Sequence, residues 1–328
     1  MTASFPLRVA LTLVGLVSGS CGHEHASADH HSHLRFNTLA VFGDSYTDTG
    51  NPSNNGTQWP TYAAGYTGAS LYSFAHVGAR CSEDLTPRPG SYAIVQNEIP
   101  DYLEGIRNGS VRMFPESTLH TLWIGTNDIG PRSILTGGDV AHNATIVDVT
   151  ECAVDWVSTL YQQGARNFLF QNMVPQERLP IYQTQAYYTK WWTAQRNATS
   201  WNIMVKNLVA AGNALSKLML KALPLHLPGA HIGYFDSHGL FTDILDHPER
   251  YLNGTKPYNV TGAAFACVYQ VNESLSDPGD CTSNWGSDAD SFVWYNELHP
   301  SEQSDRIVAR EIAKVLEGTE SRWVTWFS

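Results

Sequence analysis

The chain has 328 residues, 42% hydrophobic and 16% charged, an ordinary composition for a globular protein with a sizeable core. Its formal net charge of -11, with an isoelectric point near 5.6, sets up a field that repels phosphate backbones and anionic membrane surfaces. That balance excludes nucleic acid as a natural partner and is compatible with a neutral substrate.

At the start, Arg8 precedes an apolar run over residues 9–17, followed by the small residues Ser18, Gly19 and Ser20. The run is too short to span a bilayer, so residues 1–20 read as a secretory signal peptide cut near Ser20, which implies a secreted, extracellular protein without a membrane span. Residues 21–36 form a leader crowded with His23, His25, His30, His31 and His33. No Cys or carboxylate spacing there fixes a metal geometry, and the leader reads as a disordered segment open to processing. Residues 37–328 contain no linker, repeat or charge run and are expected to form one domain.

Seven sequons, at Asn55, Asn108, Asn143, Asn197, Asn253, Asn259 and Asn272, exceed the about three that chance would give and point to glycosylated, exposed segments. In an oxidising compartment Cys267 and Cys281 are expected to close a short loop, and Cys81 to pair with Cys152, leaving Cys21 over.

Thr38–Gly43 reads TLAVFG, a short apolar run ending in Gly that suits a buried parallel strand opening a βα unit. Similar runs at 71–75, 119–125, 167–172 and 231–236 bring the expected count to five strands. Helical periodicity marks 92–106, 147–163, 201–223 and 300–316, the last with Pro at its first turn and Glu302 near the positive end of its dipole. Strands alternating with helices predict an α/β fold with a parallel sheet covered on both faces, its ligand crevice at the carboxyl ends of the strands. The stretch 249–291 lacks periodicity and reads as an ordered surface excursion beside that crevice.

Four segments carry parts of one chemistry, in chain order. FGDSYTDTG (42–50) places Ser45 just beyond a strand, where its own amide can face a developing negative charge, with Asp44 in support. SFAHVGARC (73–81) offers the Gly78 amide, LWIGTNDIG (122–130) the Asn127 side chain, and WYNELHPSEQ (294–303) sets His299 just before the last helix. Acyl transfer needs these parts: a nucleophile, a base, and donors aimed at the oxyanion.

Taken in this order, the four segments resemble the sequence blocks of the GDSL/SGNH hydrolases. The resemblance implies Ser45 as nucleophile, His299 as general base, and the Ser45 amide, Gly78 and Asn127 as the oxyanion hole. It implies a three-layer α/β/α sandwich with a five-stranded parallel sheet, flavodoxin-like in its layering, and no metal or organic cofactor. QWPTYAAGYTG (58–68), Ala79, Cys81 and FVWYNELHPSEQ (292–303) are further similar to fungal acetylesterases of carbohydrate esterase family sixteen. That likeness implies a secreted acetylesterase acting on acetylated hemicellulose oligosaccharides, its partner being a small acylated substrate and its state a monomer.

The family pattern puts an Asp three residues before the catalytic His, and here the position is Asn296. Three readings stay open: Asn296 orients the ring, another carboxylate such as Asp288 or Asp290 substitutes, or turnover is poor. Glu297, adjacent on an extended segment, points the other way. Tyr46, Trp59, Trp285, Trp294 and Tyr295 are candidates for stacking on a sugar ring. The alternatives in function are a lipase or phospholipase for longer acyl chains and a weakly active or non-catalytic carbohydrate-binding homologue.

Overall fold

The computed structural model describes residues 34–138, 140–141 and 144–328. The expected signal peptide, Cys21, the histidines of the leader and the sequon at Asn143 lie outside the described residues.

The strand β1, Thr38–Gly43, is buried along its whole length. Successive side chains of a strand point to opposite faces, and here Leu39 and Val41 enter one core while Ala40 and Phe42 enter the other. The helices are α1 (Trp59–Thr67), α2 (Ile99–Asn108), α3 (Ile146–Gln162), α4 (Ala198–Ala222), α5 (Ser237–Asp246) and α6 (Glu302–Leu316). The first core takes side chains from α1, α5, α6 and the first half of α4; the second takes them from α2, α3 and Leu220 of α4.

In the central sheet β1 is flanked by β2 (Ser70–Ser73) and β3 (Thr118–Trp123), then β4 (Asn167–Gln171) and β5 (His231–Phe235), all parallel. The smaller strands are β6 (Asn259–Ala263), β7 (Phe265–Val268), β8 (Asp280–Ser283) and β9 (Phe292–Trp294). The three-layer α/β arrangement agrees with the expected fold class, and all five expected strands are present. The sheet is nevertheless mixed, because β10 (Val324–Trp326) adds a sixth, antiparallel strand beside β5. A three-residue strand leaves too little alternation to be seen in sequence.

Local details correct the expected boundaries. The helix expected over 92–106 is a π-turn, Ile94–Glu98, followed by α2. The turn brings the Glu98 carboxyl under β1, where it accepts a hydrogen bond from the Gly43 amide at 3.0 Å. Gly43 has φ +142°, and a Cβ there would fall 2.3 Å from the Trp123 carbonyl oxygen of β3. Only glycine lets β1 end so close to its neighbour and turn away into the loop bearing Ser45. In α6, Pro300 precedes the N-cap Ser301 instead of occupying the first turn. The Ser301 hydroxyl accepts from the Ser304 amide and donates to the Phe292 carbonyl, tying the helix to β9.

The segment Ala198–Leu225, which contains α4, is long and apolar enough to cross a bilayer, yet it lies against α3 and contributes Val205, Leu208 and Val209 to the first core. The excursion over 249–291 carries strands that its aperiodic sequence does not reveal. It holds β6, which pairs with β9, and the hairpin β7–β8, which is bridged by Cys267 and Cys281.

Candidate active site

The carboxyl end of β1 leads into a tight turn. The Asp44 carbonyl accepts from the Thr47 amide at 2.9 Å, and its carboxyl accepts from the Tyr46 amide at 3.0 Å. Asp44 therefore shapes the turn that presents Ser45. The carboxyl of Asp48 ties the same loop to the next one, accepting from the Val77 amide at 2.8 Å.

His299 reaches Ser45 from the loop between β9 and α6. Its Nε2 lies 2.8 Å from the Ser45 hydroxyl, and its Nδ1 lies 2.9 Å from the Asn296 side-chain oxygen. An amide oxygen accepts only, so Nδ1 carries the proton and Nε2 is left to accept from Ser45. The Asn296 oxygen also receives the Leu298 and His299 amides, both at 3.0 Å, and Asn296 Nδ2 donates to the Ser53 carbonyl. Tyr46 donates its hydroxyl proton to the Leu298 carbonyl at 2.7 Å, bracing the two loops against each other.

The expected substitute carboxylates are not at the imidazole. Asp288 receives the Thr255 hydroxyl and lies 3.4 Å from the Lys256 ammonium, while Asp290 pairs with Arg306. Glu297 turns away to the Tyr187 hydroxyl and the Cys267 amide. Asn296 alone orients the ring among the described residues.

Ser45, Gly78, Asn127 and His299 line one cavity of about 490 Å³, a volume in the range of small-molecule sites. Gly78 has φ +79°, a left-handed conformation natural to glycine. Among the described residues nothing accepts from the Ser45 and Gly78 amides. Asn127 Nδ2 donates one hydrogen to the Ala79 carbonyl at 3.0 Å, which fixes the amide plane and leaves the other hydrogen for a ligand. Cys81, just beyond Gly78, is bridged to Cys152 of α3, and its amide donates to the buried Asp128 carboxyl at 3.0 Å.

The aromatic residues divide. Tyr46, Trp59 and Trp294 are buried and do not face the cavity. Trp59 donates to the Thr47 hydroxyl and Trp294 stacks on Phe241, so their place is in the core and not against a sugar. Trp285 is 56% exposed and lines, with Tyr295, a separate pocket of about 260 Å³. Sequence reasoning missed Lys190, Trp191 and Tyr269, which do line the main cavity. The Trp191 ring lies 5.3 Å from the His299 ring, and the Lys190 ammonium sits over Trp191. The aromatic run YYTKWW over 187–192 was the only signal for Lys190 and Trp191, and it has no motif spacing.

Burial dominates the electrostatics. It lowers His299 to about 3, with the Lys190 charge acting in the same direction. It raises Asp44 to about 7 against the Tyr46 hydrogen bond, with a smaller contribution from Asp128. Glu98, whose carboxyl holds the Gly43 amide, is pushed well above the usual carboxylate range by the same cause.

Of the sequons, Asn55, Asn108, Asn197, Asn253 and Asn272 are exposed and Asn259 is partly buried. No cluster suited to a metal ion occurs among the described residues.

A serine, an imidazole and unengaged donors around one cleft, at the carboxyl ends of parallel strands, define the serine-hydrolase class. The model of the GDSL-like lipase/acylhydrolase family matches residues 39–312, and the chain belongs to that family as an esterase. It is 27% identical to an acetylesterase of Hypocrea jecorina, covering 90% of this chain and 92% of the relative. An acetylesterase of Thermothelomyces thermophilus is 24% identical, covering 86% of this chain and 88% of the relative. Among solved structures, an acetyl-xylooligosaccharide esterase from Geobacillus aligns with a TM-score of 0.45 at 12% identity, covering 88% of this chain and 100% of that one.

Proposed function

We propose that this protein is a secreted acetylesterase that removes acetyl groups from hemicellulose oligosaccharides through a covalent acyl-enzyme. The observation that carries the mechanism is the 2.8 Å contact between the Ser45 hydroxyl and His299 Nε2, open to the cavity. His299 takes the Ser45 proton as Ser45 attacks the acetyl carbonyl; the tetrahedral intermediate collapses, the sugar hydroxyl leaves with that proton, and acetyl-Ser45 remains. Water, deprotonated by His299, repeats the attack and releases acetate. The Ser45 and Gly78 amides and Asn127 Nδ2 receive the oxyanion in both steps, each worth about 3 kcal/mol.

Acetyl as the acyl group is supported by the acetylesterase relatives, and an oxidising, secretory setting by the two disulfides. Labelling with a fluorophosphonate and acyl-chain profiling test the reading. The wild type is expected to react at Ser45 and to prefer acetyl over butyryl and decanoyl esters, and Ser45→Ala to do neither. A preference for decanoyl esters favours a lipase instead, and an unreactive Ser45 favours a binding protein.

A further inference from the structure

Acidic side chains outnumber basic ones in this chain, 31 to 20, yet among the described residues every charged side chain lining the main cavity is a cation: Arg80, Arg88, Arg132 and Lys190. A wall of one sign on a molecule of the opposite net sign focuses a positive potential at the mouth of the site. Arg80 is buried and committed to the Thr86 and Pro87 carbonyls, with Asp128 beside it. Arg88 lies against the oxyanion side, its guanidinium 3.5 Å from where a Cβ on Gly78 would stand. Arg132 and Lys190 are exposed on the rim, and neither forms an ion pair with a carboxylate among the described residues. Glu297, which feels the Lys190 charge, is held by Tyr187 and the Cys267 amide instead.

The two exposed cations flank a site whose described lining, Arg80 and Arg88 apart, is uncharged: Trp191, Tyr269, Leu275, Pro131 and Val77 among others. Such a surface suits a ring with a carbon face and one anionic substituent. We propose that the alcohol half of the substrate carries a carboxylate, so that the preferred substrate is an acetylated oligosaccharide bearing a uronate residue, its carboxylate held by Arg132 and Lys190. This deepens the acetylesterase reading and rests on it.

The test compares kcat/KM for an acetylated xylo-oligosaccharide bearing a glucuronate with its carboxyl-reduced counterpart, in which the charge alone is lost. The uronate is expected to be favoured by about threefold to tenfold at low ionic strength, the range of one or two solvent-facing ion pairs. The ratio is expected to shrink in 0.5 M salt, since exposed charges are screened. Arg132→Gln with Lys190→Gln is expected to bring the ratio close to one, and a ratio cancels any general loss of turnover caused by removing Lys190 from Trp191. Equal rates on the two oligosaccharides, with both deacetylated, overturn the uronate proposal and leave the esterase reading intact. Loss of all acetate turnover strikes the esterase reading, and calorimetric binding of the same two oligosaccharides to Ser45→Ala then decides the charge preference alone. Preference for an acylated glycerophosphate over the uronate assigns the cations to a phosphate and also overturns it.

Discussion

Asn296 gathers three donors on one oxygen, the Leu298 and His299 amides and the imidazole Nδ1, so the ring is held in place by a neutral acceptor. Geometry is kept and charge is lost. A neutral partner does nothing to stabilise an imidazolium, and burial already holds His299 near 3. The imidazole is thus only weakly basic and stays unprotonated far into the acid range. Asn296→Asp is expected to raise the imidazole's proton affinity, moving the acid limb of the kcat/KM profile up by at least about one unit and raising turnover of 4-nitrophenyl acetate at pH 7 by about tenfold or more. A pH–rate profile of the two proteins checks both, and an unmoved limb would refute the assignment of His299 as the titrating base. Ser45, Gly78, Asn127 and His299 were legible because each sits in a short motif whose order along the chain is itself information. Lys190 and Trp191 were not, since they reach the cavity by tertiary packing alone.

At the scale of the element, the hairpin β7–β8 and its connecting loop bring Tyr269 and Leu275 to the cavity wall, and Cys267–Cys281 clamps the hairpin across directly paired residues. The loop is exposed from 270 to 280, so little packing replaces the clamp. Opening the bridge with Cys267→Ser and Cys281→Ser is expected to raise KM for acetylated oligosaccharides by about tenfold while kcat on 4-nitrophenyl acetate falls by less than about twofold. Steady-state kinetics on both substrates check the split, and equal losses in both would place the hairpin's role in the fold and not in the wall. The five parallel strands could be read from apolar runs bounded by Gly, Asn or Asp. The helices α1 and α5 and the strands of the excursion could not. The first carries WPTYAAGYT, apolar on most faces and broken by Gly65, and the last are short ladders whose partners lie far away in sequence.

Over the whole molecule, burial perturbs ionisable groups in two opposed directions. Asp44, Glu98, Asp128 and Asp305 are buried carboxyls raised chiefly by desolvation, Asp44 to about 7. For these the folded state holds a proton that the unfolded state has released, so stability falls as pH rises from about 4 upward, through about 7 for Asp44. His120 and His299 are buried and lowered to about 4 and about 3, and for them stability falls as pH drops below about 6.5. The carboxyls and the imidazoles thus act in opposite senses, and the carboxyls are the more numerous, four against two. Thermal unfolding is expected to show a higher Tm at pH 5 than at pH 8, with Asp44→Asn flattening the difference. A Tm that climbs steadily with pH would contradict this balance.

The antiparallel β10 has a wider effect than its three residues suggest. Without it, β5 would offer a full-length row of unpaired amides and carbonyls to any passing chain. With it, the sheet is bordered on both sides by very short strands, β10 at one margin and the four-residue β2 at the other. Brief borders give an incoming strand almost nothing to zip onto, so two copies of the molecule meeting rim to rim would slide past each other rather than fuse.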